Sequence, residues 1–237
     1  MNKKTQLSAA CALLLCCFSA PPSAIGKSDD AVTFCVDARP GSITAALVCS
    51  DRAQAMRRLD EAGCFVGAAP AVGEVRKVWA VHESLPEGAA ARDREIRLFM
   101  AACLLEAHSK TDPPDATEVS AVAFLRRALA DPDPQIAGVA MISLWPVLTQ
   151  NDIDTIVRRA STESALVMPA VTALTMPCNV EAKSGIAVIQ SAYAGSERGT
   201  EIQKLVEGNV GLCDDGHARR AEFSGKVFVP APRASEH

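Results

Sequence analysis

The chain has 237 residues, 49% of them hydrophobic and only 4% aromatic, with a formal net charge of -4. That length supports one substantial core or a short repeat array, and the mildly acidic balance argues against nucleic acid as a partner, which a net basic patch would mark. Alanine, leucine and valine in an aromatic-poor chain favour helices packed through small and aliphatic side chains, since strands are enriched in aromatic and β-branched residues.

Lys3 and Lys4 precede an uncharged stretch from Leu7 to Phe18, and small residues follow at Ser19, Ala20, Ser23, Ala24 and Gly26. This is the order of a secretory signal peptide, and residues 1–26 are assigned to one. The apolar run is short of the roughly 20 residues that cross a bilayer, and nothing later in the chain is long and apolar enough to anchor it. Cleavage is expected after Ala24 or Gly26, since a cut after Ala20 would leave Pro21 at the new N-terminus. Leu14-Leu15-Cys16-Cys17 places Leu three residues before a cysteine, but lipidation wants a small residue just before that Cys, so no lipid anchor is expected. The mature chain is expected in the periplasm or secreted, and losing Lys3 and Lys4 takes its charge from -4 to about -6.

Cys35, Cys49, Cys64, Cys103, Cys178 and Cys213 remain after the leader, an even number that permits up to three disulfides in an oxidising compartment. Cys35, Cys49 and Cys64 form one group and Cys178 and Cys213 flank the last helical pair, so a bridge within each group is expected. Cys103 lies on the apolar face of its helix and is expected to stay reduced, as a small buried hydrophobe. No CxxC occurs, and Cys213-Asp-Asp-Gly-His217 offers only two soft ligands, so neither metal nor other cofactor is expected.

Residues 27–85 form an N-terminal cysteine-containing segment that is partly helical. Val32 to Val36 reads as a strand or an extended lead-in. Ser50-Asp51 starts a helix that runs through Met56 and Leu59 and stops at Gly63. Phe65 to Gly73 is rich in Gly, Ala and Pro, and Val75 to Leu85 is helical. Between Glu87 and Ser109 a long helical stretch places Ile96, Phe99, Met100, Cys103 and Leu104 at i, i+3, i+4, i+7 and i+8, one apolar face. Thr111-Asp-Pro-Pro-Asp115 ends it. Helices follow at 117–130, 134–148, 151–161, 164–175, 180–194 and 197–208. Their connections are a few residues long, so sequential helices form antiparallel hairpins. Pro169 falls inside the fourth of these and would remove a backbone hydrogen bond and bend it. Residues 213–237 form a flexible tail, in which Phe223 to Val229 could add an extended strand limited by Pro230 and Pro232.

The helices are self-similar. Ile136 to Leu144 superposes on Leu166 to Leu174 at an offset of 30, and Ile96 to Leu104 shares the pattern. The preceding helices end alike, Leu125-Arg126-Arg127-Ala128 against Val157-Arg158-Arg159-Ala160. Two adjacent helices therefore recur together, at the length of one two-helix repeat whose apolar face its neighbours must bury. Ala128-Leu-Ala-Asp-Pro-Asp-Pro-Gln-Ile136 with the Ala-rich helix after it resembles the inter-repeat turn and first helix of HEAT-like repeats, over about Arg94 to Asn209. In that family an Arg often follows the first aliphatic residue. Ile96-Arg97 keeps it, while Ile136-Ala137 and Leu166-Val167 do not. The resemblance implies an all-α fold, a short right-handed superhelix of stacked antiparallel helix pairs over residues 86–212, and a scaffold that binds another protein. Here the cysteines would brace it. Asp131 or Asp133 would cap the helix that Pro134 opens.

Candidate chemistry is sparse. Gly26-Lys27-Ser28 lacks the first Gly and the preceding strand of a phosphate-binding loop. HExxH, Gly-x-Ser-x-Gly and Cys-x-x-Cys are absent. His82, Glu83 and His108 lie at helix ends, where histidines commonly interact with the carbonyl end of the dipole. Their convergence in one cleft would favour the rival reading, an enzyme or a small-ligand receptor. The Arg pairs are the most suggestive feature. Arg57-Arg58 is one, and Arg126, Arg127, Arg158 and Arg159 occupy matching places in neighbouring repeats, where guanidinium groups in a row would grip carboxylates of a partner protein. A solvated face with intrahelical ion pairs is the plain alternative. The sequence thus points to an exported, non-catalytic protein-binding scaffold, either a toxin-neutralising immunity protein or an adaptor of an envelope complex.

Overall fold

A computed structural model of the chain describes residues 41–64, 69–85, 87–106, 114–177 and 179–209. These form ten α-helices and no strand, in two compact units, residues 1–108 and 109–237. The leader, Val32 to Val36, Cys35, His108, Cys178, Cys213 and the tail lie outside the described residues.

The first unit holds α1 (Ile43–Cys49), α2 (Arg52–Glu61), α3 (Ala69–Val81) and α4 (Arg94–Glu106), with 3-10 turns at His82–Ser84 and Ala90–Arg92. Helix α1 was not anticipated. Ser42 caps it by accepting the Ala45 N–H at 3.0 Å, and Gly41 before it has φ 78, a conformation that suits glycine. Helix α2 begins and ends as expected: Asp51 accepts from the Gln54 N–H at 2.8 Å, and Gly63, at φ 75, follows the last turn. Helix α3 starts at Ala69, earlier than expected, because Pro70 occupies its first turn, where a missing N–H removes no intrahelical bond. Helix α4 is shorter than the stretch from Glu87 to Ser109, since Asp93 starts it by accepting the N–H groups of Glu95 and Ile96. Its burial goes beyond one stripe: Ile96 and every residue from Leu98 to Leu105 are buried.

Helices α1 and α4 both pack on α3, and α2 packs on α1 and α4. Two polar links reinforce this. Glu74 of α3 accepts from the Thr44 N–H of α1 at 3.0 Å, and Arg52 of α2 pairs with Glu95 of α4 at 2.7 Å. The expectation that Cys103 stays reduced is overturned, because Cys103 is joined to Cys64 in a disulfide between α4 and the end of α2. Both residues are fully buried. A position on an apolar helix face suits half of a buried cystine as well as it suits a free thiol. Cys49 is also disulfide-bonded. The Ile96 to Leu104 segment lies within the first unit, residues 1–108.

The second unit holds α5 (Ala116–Ala128), α6 (Pro134–Ser143), α7 (Gln150–Thr162), α8 (Val167–Thr175), α9 (Val180–Ala192) and α10 (Glu197–Asn209). Caps mark most starts. Asp115 accepts from the Glu118 N–H, Asp133 from Gln135 with Pro134 in the first turn, and Asn179 from Ala182. Thr149 and Asp152 form a reciprocal capping box at α7. Helix α6 stops at Ser143 and tightens into a 3-10 turn at Trp145–Val147, since Pro146 cannot extend an α-helix. The stretch 164–175 is likewise a 3-10 turn, Ser164–Leu166, followed by α8. Pro169 thus sits in the first turn of α8, where it removes no α-helical bond, and the expected bend has no basis there.

Successive helices are in contact as α5 with α6, α7 with α8, α8 with α9 and α9 with α10. In addition, α7 packs on α9, and α8 packs on both α6 and α10. Close backbone approach is built in at two glycines. A Cβ on Gly185 of α9 would lie 2.8 Å from Val157 Cγ2 of α7, and one on Gly138 of α6 would lie 3.0 Å from Pro169 Cγ of α8.

Candidate functional site

The four arginines that align in sequence separate into two kinds. Arg126 and Arg159 are turned into the second unit, whereas Arg127 and Arg158 are exposed. Arg126 donates through Nε to Asp152 Oδ1 at 3.0 Å and through Nη2 to Asp152 Oδ2 at 2.9 Å, tying α5 to the start of α7. Asp152 is only 2% exposed, and the same carboxylate accepts from the Thr149 N–H and hydroxyl, so the capping box and the inter-helix pair share one charge.

Arg159 is 8% exposed. Its Nη1 donates to the carbonyls of Leu129 at 2.6 Å and Asp131 at 2.8 Å, in the α5–α6 connection, while Nε and Nη2 donate to Glu163 at 2.7 and 2.6 Å. The hydrogen bonds to Glu163 outweigh the effect of burial and raise the Arg159 pKa above its ordinary value. The same hydrogen bonds hold the Glu163 carboxyl below the usual carboxylate range.

Burial explains why the sequence alignment misleads here. Ala121, Val122, Leu125, Ala128 and Leu129 are buried around α5, and Asp152, Ile153, Ile156, Arg159 and Ala160 in α7. These sets superpose at an offset of 31, one less than the offset that aligns the Arg-Arg pairs. Arg127 and Arg158 are therefore the equivalent positions, and both face outward.

Arg158 lines a groove of about 560 Å³ between α7 and α9, with Ile153, Asp154 and Val157 on one wall and Val180, Glu181, Ser184, Gly185 and Val188 on the other. Gly185 lets the helices approach at its floor. Val180 is 78% exposed and Val188 51% exposed, although both are aliphatic. Sequence reasoning missed this surface. Its signal was present in α9, where Ala182, Gly185, Ile186 and Ile189 form the buried stripe and the two valines fall outside it. A smaller hollow of about 280 Å³ lies beside α1 and α2, lined by Ser42, Gln54, Arg57, Arg58 and Glu61. Arg58 approaches Glu61 there at 3.4 Å.

His82 closes the end of α3. Its Nδ1 is within hydrogen-bonding distance of the Trp79 carbonyl, and its Nε2 is 2.7 Å from Glu83 Oε1, out of line for a hydrogen bond. Arg97 of α4 lies 5.6 Å over the Trp79 ring and 3.7 Å from Glu83, so the cluster links α3 to α4. His108, the third group of that reading, lies outside the described residues. Among the described residues no group of three or more His, Cys, Asp and Glu side chains is placed to hold a metal ion. No helix of the described residues is long and apolar enough to cross a membrane. No protein family, curated protein or solved structure matches the chain.

Proposed function

We propose that this chain is an exported, non-catalytic protein-binding scaffold whose second unit is a short HEAT-like stack of helix pairs, a right-handed α-solenoid. The observation that carries this reading is the serial packing of that unit. Helices α7 and α9 pack directly, and α6, α8 and α10 pack in succession, which is how repeats bury faces that no single repeat can bury alone. The groove between α7 and α9 supports a protein ligand: it is open, apolar at its floor, and rimmed by an arginine and carboxylates. A toxin-neutralising immunity protein and an envelope-complex adaptor are the two versions that suit an exported scaffold.

The test is capture of the tagged full-length chain from its native envelope, in parallel with Val188→Asp. The expected result is one stoichiometric protein that the variant fails to retain. Recovery of no protein, together with a bound metabolite or metal, would overturn the scaffold in favour of a receptor or enzyme.

A further inference from the structure

We propose that His82 is a proton-operated latch at the end of α3, which holds Glu83 while both ring nitrogens carry a proton and passes it to Arg97 of α4 when one proton is lost. Each ring nitrogen faces an oxygen that only accepts: Nδ1 lies 2.5 Å from the Trp79 carbonyl, and Nε2 lies 2.7 Å from Oε1 of the Glu83 carboxylate. A neutral imidazole has one N–H and one lone pair, so either tautomer turns a lone pair toward one of these oxygens. Only the imidazolium offers a donor to both. The buried Nε2 has no hydrogen-bond partner elsewhere, so its proton decides whether the Glu83 contact attracts or repels.

Which oxygen gives way follows from how each is held. The carbonyl of Trp79 belongs to the α3 backbone and that residue is 3% exposed, whereas the Glu83 side chain is 75% exposed on a single 3-10 turn. Glu83 therefore leaves, and Nδ1 keeps its proton. A cation is already at hand, since Arg97 Nη2 is 3.7 Å from the same Oε1. The Arg97 guanidinium lies over the Trp79 ring, 5.6 Å from its centroid, so α4 and the indole together hold the receiving group in place. Neighbouring charges are committed to other partners. Glu95 of α4 is paired with Arg52, and Arg92, on the turn packed against that of His82, donates to the Leu85 carbonyl at 2.9 Å. Helix α1, also packed on α3, carries no titratable side chain besides Cys49, which is disulfide-bonded. Loss of one proton from His82 thus moves an ion pair from within the end of α3 to a link between that end and α4.

The experiment is nitrogen NMR of the full-length chain, isotopically labelled at histidine and arginine, across the range in which histidines change charge, about pH 5–8. His82→Gln and Arg97→Lys identify the signals of the two side chains, and thermal melts confirm that each variant is folded. In the wild type, Nε2 of His82 is expected to lose its proton as pH rises while Nδ1 keeps one, the tautomer that is the minor form of free histidine. The Arg97 Nε signal is expected to shift over the same pH interval, because Glu83 arrives there. In Glu83→Gln, which removes the charge at nearly constant size, the His82 transition should remain and the Arg97 shift should vanish. Absence of a His82 transition in this range overturns the proposal, as does loss of the proton from Nδ1 in place of Nε2. An Arg97 signal that stays fixed in the wild type, or a shift that survives Glu83→Gln, overturns it as well.

Discussion

Arg159 donates four hydrogen bonds, two to main-chain carbonyls of the α5–α6 connection and two to Glu163. Arg159→Ala leaves the Leu129 and Asp131 carbonyls without that donor, and a loss of about 2–3 kcal/mol in denaturant unfolding is expected. Arg127→Ala, at an exposed position, should change stability by no more than about 0.5 kcal/mol. Glu163 sets a pH dependence. Its folded pKa is lowered by hydrogen bonding to Arg159, so its contribution is present above the ordinary carboxylate pKa of about 4.3 and is lost as pH falls through the lowered folded value. Wild type and Glu163→Gln should therefore differ in melting temperature near neutrality and converge in acid. A constant difference at all pH values would remove the ion pair from the account. The Arg-Arg pairs were visible in the sequence as a repeat feature, but their division of labour was not. A one-residue change in helix register decides which arginine turns inward, and that is set by tertiary packing.

At the scale of helices, the contact between α7 and α9 depends on Gly185. Leucine is a good helix former, so Gly185→Leu adds helix propensity, yet its Cβ alone would lie 2.8 Å from Val157. Overpacking is expected to dominate, with a net loss of about 1–3 kcal/mol and a reshaped groove. Stability equal to or above wild type, measured by denaturant titration, would show that the two helices part easily. Most helices were legible from caps, prolines and apolar spacing, α2 and α6 above all, because Asp51, Gly63, Asp133 and Pro134 act through local geometry. Helix α1 was missed although Ser42 caps it, because a seven-residue helix offers too few turns for its apolar spacing to stand out. Pro169 was misjudged because the sequence does not show that a 3-10 turn precedes it. The exposure of Val180 and Val188 was hidden for a related reason: a valine outside the apolar stripe has no meaning until the neighbours of α9 are known.

At the scale of the whole molecule, the two units differ in how they are secured. The first is stapled by the buried Cys64–Cys103 disulfide, which closes a separation of 39 residues. A loop of that length corresponds to about 4 kcal/mol in the chain-entropy account. The double variant Cys64→Ala/Cys103→Ala should lower the thermal transition of residues 41–106 while amide exchange in α7 and α8 stays close to wild type. Equal loss in both units would show that they unfold as one body. The second unit relies on helix–helix packing and the two internal arginines. Its helical character was legible because it follows from apolar spacing and caps, and its exposed surface was not, since that depends on which side chains the packed helices leave outside.

We propose that the chain works by binding protein through the surface of its second unit. Capture from the native envelope tests it most directly, with tagged wild type, Arg127→Ala, Arg158→Glu and Val188→Asp compared at equal loading. One stoichiometric protein is expected, retained by Arg127→Ala and lost with Arg158→Glu and Val188→Asp. Recovery of no protein with wild type, or of a protein indifferent to both groove variants, would contradict it.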